Sequence, residues 1–241
     1  MKSIIQKSLI LFVWCFSMSS ISASDDASRK SFKVSGFHSL NIGHAFEIHI
    51  KKSNVYSLTA IGRAEDLQNV EVDLQGNTLE VGIKSNGSWL NWKWNNRNEK
   101  IILQISMPSL RSAEFSGATK IEVLGFNNEE DCNLSLSGAS KINLLDFNAD
   151  KLSLELSGAA KVKISGQVIK LNYDASGASK LDAFDLFVRD ADLELSGASD
   201  AMVKVQKSLR VNASGASKVI YKGNPNVSKD VSGASKVLRS E

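Results

Sequence analysis

From Arg111 onward apolar residues fall on every second position, and the alternation is broken at regular intervals by one short motif, Ser-Gly-Ala-Ser-Lys. Counted from the motif's first serine, the position before it holds Phe115, Leu136, Leu156, Ala175, Leu195, Ala213 and Val231. Three before it stand Ala113, Leu134, Leu154, Tyr173, Leu193, Val211 and Lys229. Five and seven after it the pattern resumes, with Ile121 and Val123 in the first copy and Ile142 and Leu144 in the second. A period of two predicts strands with one face turned inward. The charged exceptions at inward positions, Arg111 and Lys229, belong to the first and last copies, where a stack has ends to cap.

The motif starts at Ser116, where it reads Ser-Gly-Ala-Thr-Lys, and returns at Ser137, Ser157, Ser176, Ser196, Ser214 and Ser232, at intervals of 21, 20, 19, 20, 18 and 18 residues. A near-constant period of this length marks a stacked repeat. Each unit reads as a strand, a corner, a second strand and a looser arm, with equivalent strands of neighbouring turns pairing in parallel, roughly 4.8 Å apart. In the corner, Gly117, Gly138, Gly158, Gly177, Gly197, Gly215 and Gly233 allow a bend where a Cβ would clash. Alanine is placed inside the tight bend, and the serines bond local backbone groups. The expected fold is all-β: a right-handed parallel β-solenoid, or β-helix, of about seven turns over residues 111–241.

Upstream, residues 32–110 alternate in shorter runs, such as Phe46 to Ile50, Val70 to Leu74 and Leu79 to Ile83. Gln75-Gly76-Asn77 lies between the last two runs and predicts an antiparallel hairpin. A helical turn is expected over Ala64 to Gln68, and a strand over Ile101 to Ile105 closed by Pro108. This region is expected to be strand-rich and to pack on the solenoid. Residues 25–31 are expected to be a polar leader.

The N-terminus is of another kind. Lys2 and Lys7 precede an apolar run from Leu9 to Phe16, then small residues up to Ser24, which predicts a cleaved export signal over residues 1–24. No transmembrane segment is expected in the mature chain, which is placed in the periplasm or at the cell surface. Losing Lys2 and Lys7 lowers the formal charge from +3 to +1, so the small basic excess gives no argument for a nucleic-acid partner. Cys132 is then the single cysteine, so no intrachain disulfide forms, and its inward position makes it a small core residue.

Two surface files emerge when the repeats are aligned. The position after the motif's second serine holds Lys120, Lys141, Lys161, Lys180, Asp200, Lys218 and Lys236; two before the motif stand Glu114, Ser135, Glu155, Asp174, Glu194, Asn212 and Asp230. The basic file reads either as a stripe for a polyanionic glycan or as a solvated face. The acids fall one per turn with no insertion to build a cleft, so neither catalysis nor a metal site is expected, and no cofactor. Seven equivalent serines with no paired histidine read as structural rather than nucleophilic. His38, His44 and His49 match no metal spacing and are expected on the surface. Trp89, Trp92 and Trp94 lie within six residues, framed by Asn86-Gly87 and Asn95-Asn96. They read either as a loop that stacks on sugar rings or anchors a partner, or as a cover over one solenoid end or a subunit interface.

The strands from Phe32, the closing Met107-Pro108-Ser109-Leu110, the Phe115-Ser116-Gly117-Ala118 step and the repeated Ser-Gly-Ala-Ser-Lys units resemble the putative autotransporter adhesin head domain known as the GIN domain, a domain of unknown function. The resemblance covers residues 32–238. It implies a β-helical fold, export, and an adhesive or scaffolding role, and it carries no catalytic residues onto this chain.

The function expected is a non-catalytic exported binding or scaffolding module, adhesin-like, touching glycan or protein at the cell envelope. A polysaccharide-acting β-helix enzyme is one alternative, resting on fold analogy alone. A purely structural protein that self-associates into a homo-oligomer through open strand edges is another.

Overall fold

The computed structural model describes residues 27–84, 101–127 and 129–241. Its N-terminal strands are Ser28–Phe32 (β1), Ser39–Ile42 (β2), Glu47–Lys52 (β3) and Ser57–Gly62 (β4), followed by the helical turn Ala64–Gln68 (α1). Val70–Gln75 (β5), Thr78–Ile83 (β6), Ile102–Met107 (β7), Ser112–Phe115 (β8) and Lys120–Leu124 (β9) come next. Then follow Glu129–Leu136 (β10) and four long strands, Lys141–Leu156 (β11), Lys161–Ala175 (β12), Lys180–Leu195 (β13) and Asp200–Ala213 (β14). Lys218–Lys222 (β15), Asn226–Val231 (β16) and Lys236–Arg239 (β17) complete the chain.

The repeats coil into a parallel β-solenoid in which the equivalent residues of neighbouring turns are hydrogen-bonded partners. Leu134 stands beside Ala113 on one side and Leu154 on the other, and Leu154 beside Tyr173. The seven corners enclose about six turns, slightly fewer than the expected seven. The inward files are buried almost completely, including Leu152, Leu171, Tyr173, Leu193 and Val203. No single turn could bury these faces alone. Each Leu or Val withdrawn from water contributes about 1.5–3 kcal/mol, and here the neighbouring turns provide the cover.

The arms are more regular than the sequence suggests. In β11 to β14 the strand runs on past the second wall, bends, and forms a third wall before reaching the next corner. Phe147, Asn148 and Ala149 pair with Gly166, Gln167 and Val168. The bends disturb the register between Leu144 and Phe147, and Asp146 there adopts φ 54°. Irregular spacing of one or two residues at these bends hides the third wall from a period-two reading.

The N-terminal region extends the stack rather than merely packing on it. β2 pairs in parallel with β8, and β3 with β9, so together they form a further coil with its own corner at Gly43 to Phe46. β6 and β7 stack on that coil in turn, pairing in parallel with β2 and β3. The expected hairpin is present: β5 runs antiparallel to β6 around Gly76. β4 lies antiparallel on β7, β1 lies antiparallel on β4, and α1 packs against both β1 and β4. The expected polar leader is therefore structured from Ser28. Its polar groups have partners, since Lys30 Nζ donates to the Leu67 carbonyl at 2.9 Å and the Ser31 and Thr59 hydroxyls meet at 3.2 Å.

Candidate binding surfaces

Each corner of the repeats is closed by two backbone devices, joined in four copies by one side chain. Gly138 has φ 77°, and a Cβ on it would come 2.5 Å from the Gly117 carbonyl oxygen of the turn above. The next residue, Ala139, donates its N–H to that same carbonyl at 2.9 Å. A side chain at Gly138 would thus collide with the acceptor that joins the two turns. The alanine, expected inside the bend, is exposed in every copy; the residue after it is the one turned in. Ser140, Ser179, Ser199 and Ser217 are buried, and each Oγ donates to the carbonyl of its own motif's first serine at 2.9 Å. Thr119 and Ala160 take this place in the two variant copies. The buried serine satisfies its own hydroxyl within the turn, which a lone polar group in an apolar core requires.

The lysines follow the corner on its outer side. Lys120, Lys141, Lys161 and Lys180 are direct partners in successive turns, Asp200 comes next, and Lys218 and Lys236 follow. All six lysines are exposed. Lys120 reaches Glu47 of β3 at 2.8 Å, and this hydrogen bond and the charge of Glu47 raise its pKa above the usual lysine value. Around the corner, Glu114, Ser135, Glu155, Asp174, Glu194, Asn212 and Asp230 form their own aligned file on the preceding wall. An open groove crosses this wall beside Asn41, Glu114, Ser135 and Glu155. Among the described residues no group of three His, Cys, Asp or Glu side chains is placed to hold a metal ion.

Trp89, Trp92 and Trp94 lie outside the described residues. The strands on either side of their segment belong to the stack. Val81 pairs with Ile42, and Ile102 with Glu47. Between the same two walls the chain uses four residues, Gly43 to Phe46, in one coil and twenty in the next, residues 82–101. The two strands on either side of that stretch, β6 and β7, therefore face the corner column from the coil farthest from the repeats.

The sequence reading missed two features. His44 occupies the glycine place of the N-terminal corner with φ 71°, and its carbonyl oxygen is the atom a Cβ on Gly117 would strike, at 2.8 Å. Aligning Ile42 and Ile48 with Phe115 and Ile121 would have found this corner, because the spacing is the same. The second is Glu129, buried with 5% of its side chain exposed, which accepts from Lys52 Nζ at 2.7 Å and from the Leu110 N–H at 3.1 Å. Lys52 also donates to the Asn127 carbonyl. No sequence signal marks this pair, whose members are far apart in the chain.

Of the remaining candidates, His38 bonds Ser39 and Asn77, and His49 lies between Glu47 and Glu122 at 3.5 and 3.4 Å. Cys132 is fully buried, and burial pushes its thiol pKa up, so it is held as a neutral core residue. No helix among the described residues is long and apolar enough to cross a membrane.

The family model described as "Putative auto-transporter adhesin, head GIN domain" matches residues 36–225. The chain belongs to this head GIN-domain family. A solved structure described as a putative adhesin from Bacteroides fragilis superposes with a TM-score of 0.81 at 19% identity, covering 90% of this chain and 98% of that one. A putative adhesin from Parabacteroides distasonis gives 0.67 at 17% identity, with the same coverage of 90% and 98%. A putative lipid binding protein from the same species gives 0.64 at 14% identity, again covering 90% and 98%. At these identities the structural likeness speaks for the fold. No functionally curated protein matches the chain.

Proposed function

We propose that this GIN-domain protein is a non-catalytic, exported binding module, adhesin-like, that contacts glycan or protein at the cell envelope through the segment carrying Trp89, Trp92 and Trp94. The observation that carries this reading is the spacing of β6 and β7. Among the described residues the equivalent step between these two walls takes four residues in the other coils, whereas twenty residues separate Val81 from Ile102, three of them tryptophans. Tryptophan brings a large apolar face and a single N–H donor, a combination suited to stacking on sugar rings or anchoring a protein contact. Membership of a family described as adhesin heads supports the binding role, and the basic-then-apolar N-terminus supports export. The solenoid serves as a rigid spacer that holds the segment at one end.

The test is a pull-down from solubilised envelope material and a glycan array, with the wild-type protein beside the triple variant Trp89→Ala, Trp92→Ala, Trp94→Ala. Loss of the captured partner in a variant with unchanged circular dichroism is the expected result. Equal capture by both proteins would remove the tryptophan segment from the reading.

A further inference from the structure

Three lysines of the solenoid stand apart from the rest of the basic file. Lys141, Lys161 and Lys180 are register partners in three successive turns, so their side chains leave one wall in a line, roughly 4.8 Å apart. Lys120, the next in the file, is neutralised by Glu47 at 2.8 Å, and Asp200 ends the run on the other side. Among the described residues Lys141, Lys161 and Lys180 make no ion pair. Lys163 lies on the same face, two residues beyond Lys161, and its nearest carboxylate is Asp185 at 3.8 Å, both groups being well exposed. Such a loose pair contributes little.

The surroundings shape this run into a strip. On its corner side Ser140, Ala160 and Ser179 are turned in, and the exposed residues beyond them are glycine and alanine, so no large side chain stands out from the corner. The acidic file lies around the corner on the other wall, with Glu155, Asp174 and Glu194 in the matching turns. An anionic ligand is thus repelled from one wall and attracted to the next, where the acids are Asp182, in register with Lys163, and Asp200 at the end of the run. Like charges held in register on neighbouring strands repel, at about 1 kcal/mol per adjacent pair in water. The fold leaves that repulsion in place over these three turns, although it neutralises the turn above.

We infer that Lys141, Lys161 and Lys180, with Lys163 beside them, bind a carboxylated polysaccharide lying along the solenoid axis. The line of charges matches a polymer rather than a single anion. A pyranose ring in an extended chain is about as long as the turn spacing, so each ring, or every second ring, can present its carboxylate to a lysine. Lysine meets such groups as a point charge without demanding one orientation, and several weak contacts in series raise the avidity. The flat glycine and alanine corner leaves room for the ring faces. This inference rests on the reading of the protein as a binding module, but not on the tryptophan segment.

The experiment is affinity electrophoresis and titration calorimetry of the signal-free protein with polygalacturonate, neutral dextran and polyphosphate. Wild type is expected to bind polygalacturonate, weakening with added salt, and to ignore dextran. The variant Lys141→Gln, Lys161→Gln, Lys180→Gln is expected to lose about tenfold or more in affinity. A control that removes the same charge elsewhere, Lys51→Gln, Lys84→Gln, Lys207→Gln, is expected to lose far less. Equal loss in the charge control, equal affinity for polyphosphate, or no binding by wild type would each overturn the inference. All the substituted lysines are exposed, so the variants can be checked for an unchanged fold before binding is measured.

Discussion

At Gly177 the backbone sits at φ 75°, and an added Cβ would come 2.5 Å from the Gly158 carbonyl oxygen. Gly177→Ala should therefore destabilise the protein by about 1–3 kcal/mol, from backbone strain plus a weakened link between turns. The neighbouring Ala178 is exposed, and Ala178→Ser should be silent to within about 0.5 kcal/mol. Urea unfolding of the two variants side by side checks both figures. Glu129 offers a second test. Glu129→Ala would leave the Leu110 N–H and the half-buried Lys52 ammonium without their carboxylate, at a cost of about 1–3 kcal/mol given that Lys52 retains partial access to water. Cys132 gives a pH prediction. Burial raises the thiol pKa in the folded chain, whereas the unfolded chain releases the proton near the ordinary value of 9.0. Below that pH both states hold the proton and the thiol has no effect on the slope. Above it the unfolded state binds fewer protons, so stability falls as pH rises. Chemical denaturation at pH 8 and pH 10 should show the loss, and Cys132→Val should flatten it. Of these residues the sequence exposed the glycines by repetition and Cys132 by its place in the inward file. Glu129 and Lys52 stayed hidden, because a tertiary ion pair leaves no periodic trace.

The elements at the two ends of the solenoid are unlike. At one end β4, β1 and β5 run antiparallel and cover the edges of β7 and β6. At the other, β16 and β17 are paired on one side only among the described residues, and Val227, Val231 and Leu238 are exposed there. An open edge of this kind invites a further strand. Lys229 and Arg239 occupy inward places in register with Val211 and Tyr221, and a second copy docking on this end would have to bury both charges. The double variant Lys229→Val, Arg239→Val should therefore associate more strongly than the wild type, and light scattering after size exclusion would read the change. A variant that associates no more than the wild type would mean that the edge is guarded by something other than these two charges. The repeating strands were legible from alternation alone. The third wall and the N-terminal coil were not, because bends of uneven length shift the register and because His44 takes the place where the motif would have glycine.

For the molecule as a whole, each turn touches only its neighbours, so local opening should follow position along the axis. Hydrogen exchange is expected to be slowest in β12 and β13, which are covered on both sides, and fastest in β16 and β17. Uniform protection across all turns would contradict this. The amino-acid sequence by itself determined the solenoid: period two sets which side chains face inward, and a glycine corner recurring near every twentieth residue forces the chain to retrace the same circuit. It likewise determined the existence of the basic and acidic files, since register copies a position from turn to turn. Only the tertiary structure decided which lysines are left without a counter-ion, because Glu47 comes from a coil some seventy residues away. It also decided that β6 and β7 form the outermost parallel coil, because the pairing of β6 with β2 and of β7 with β3 is a long-range contact that no local pattern announces.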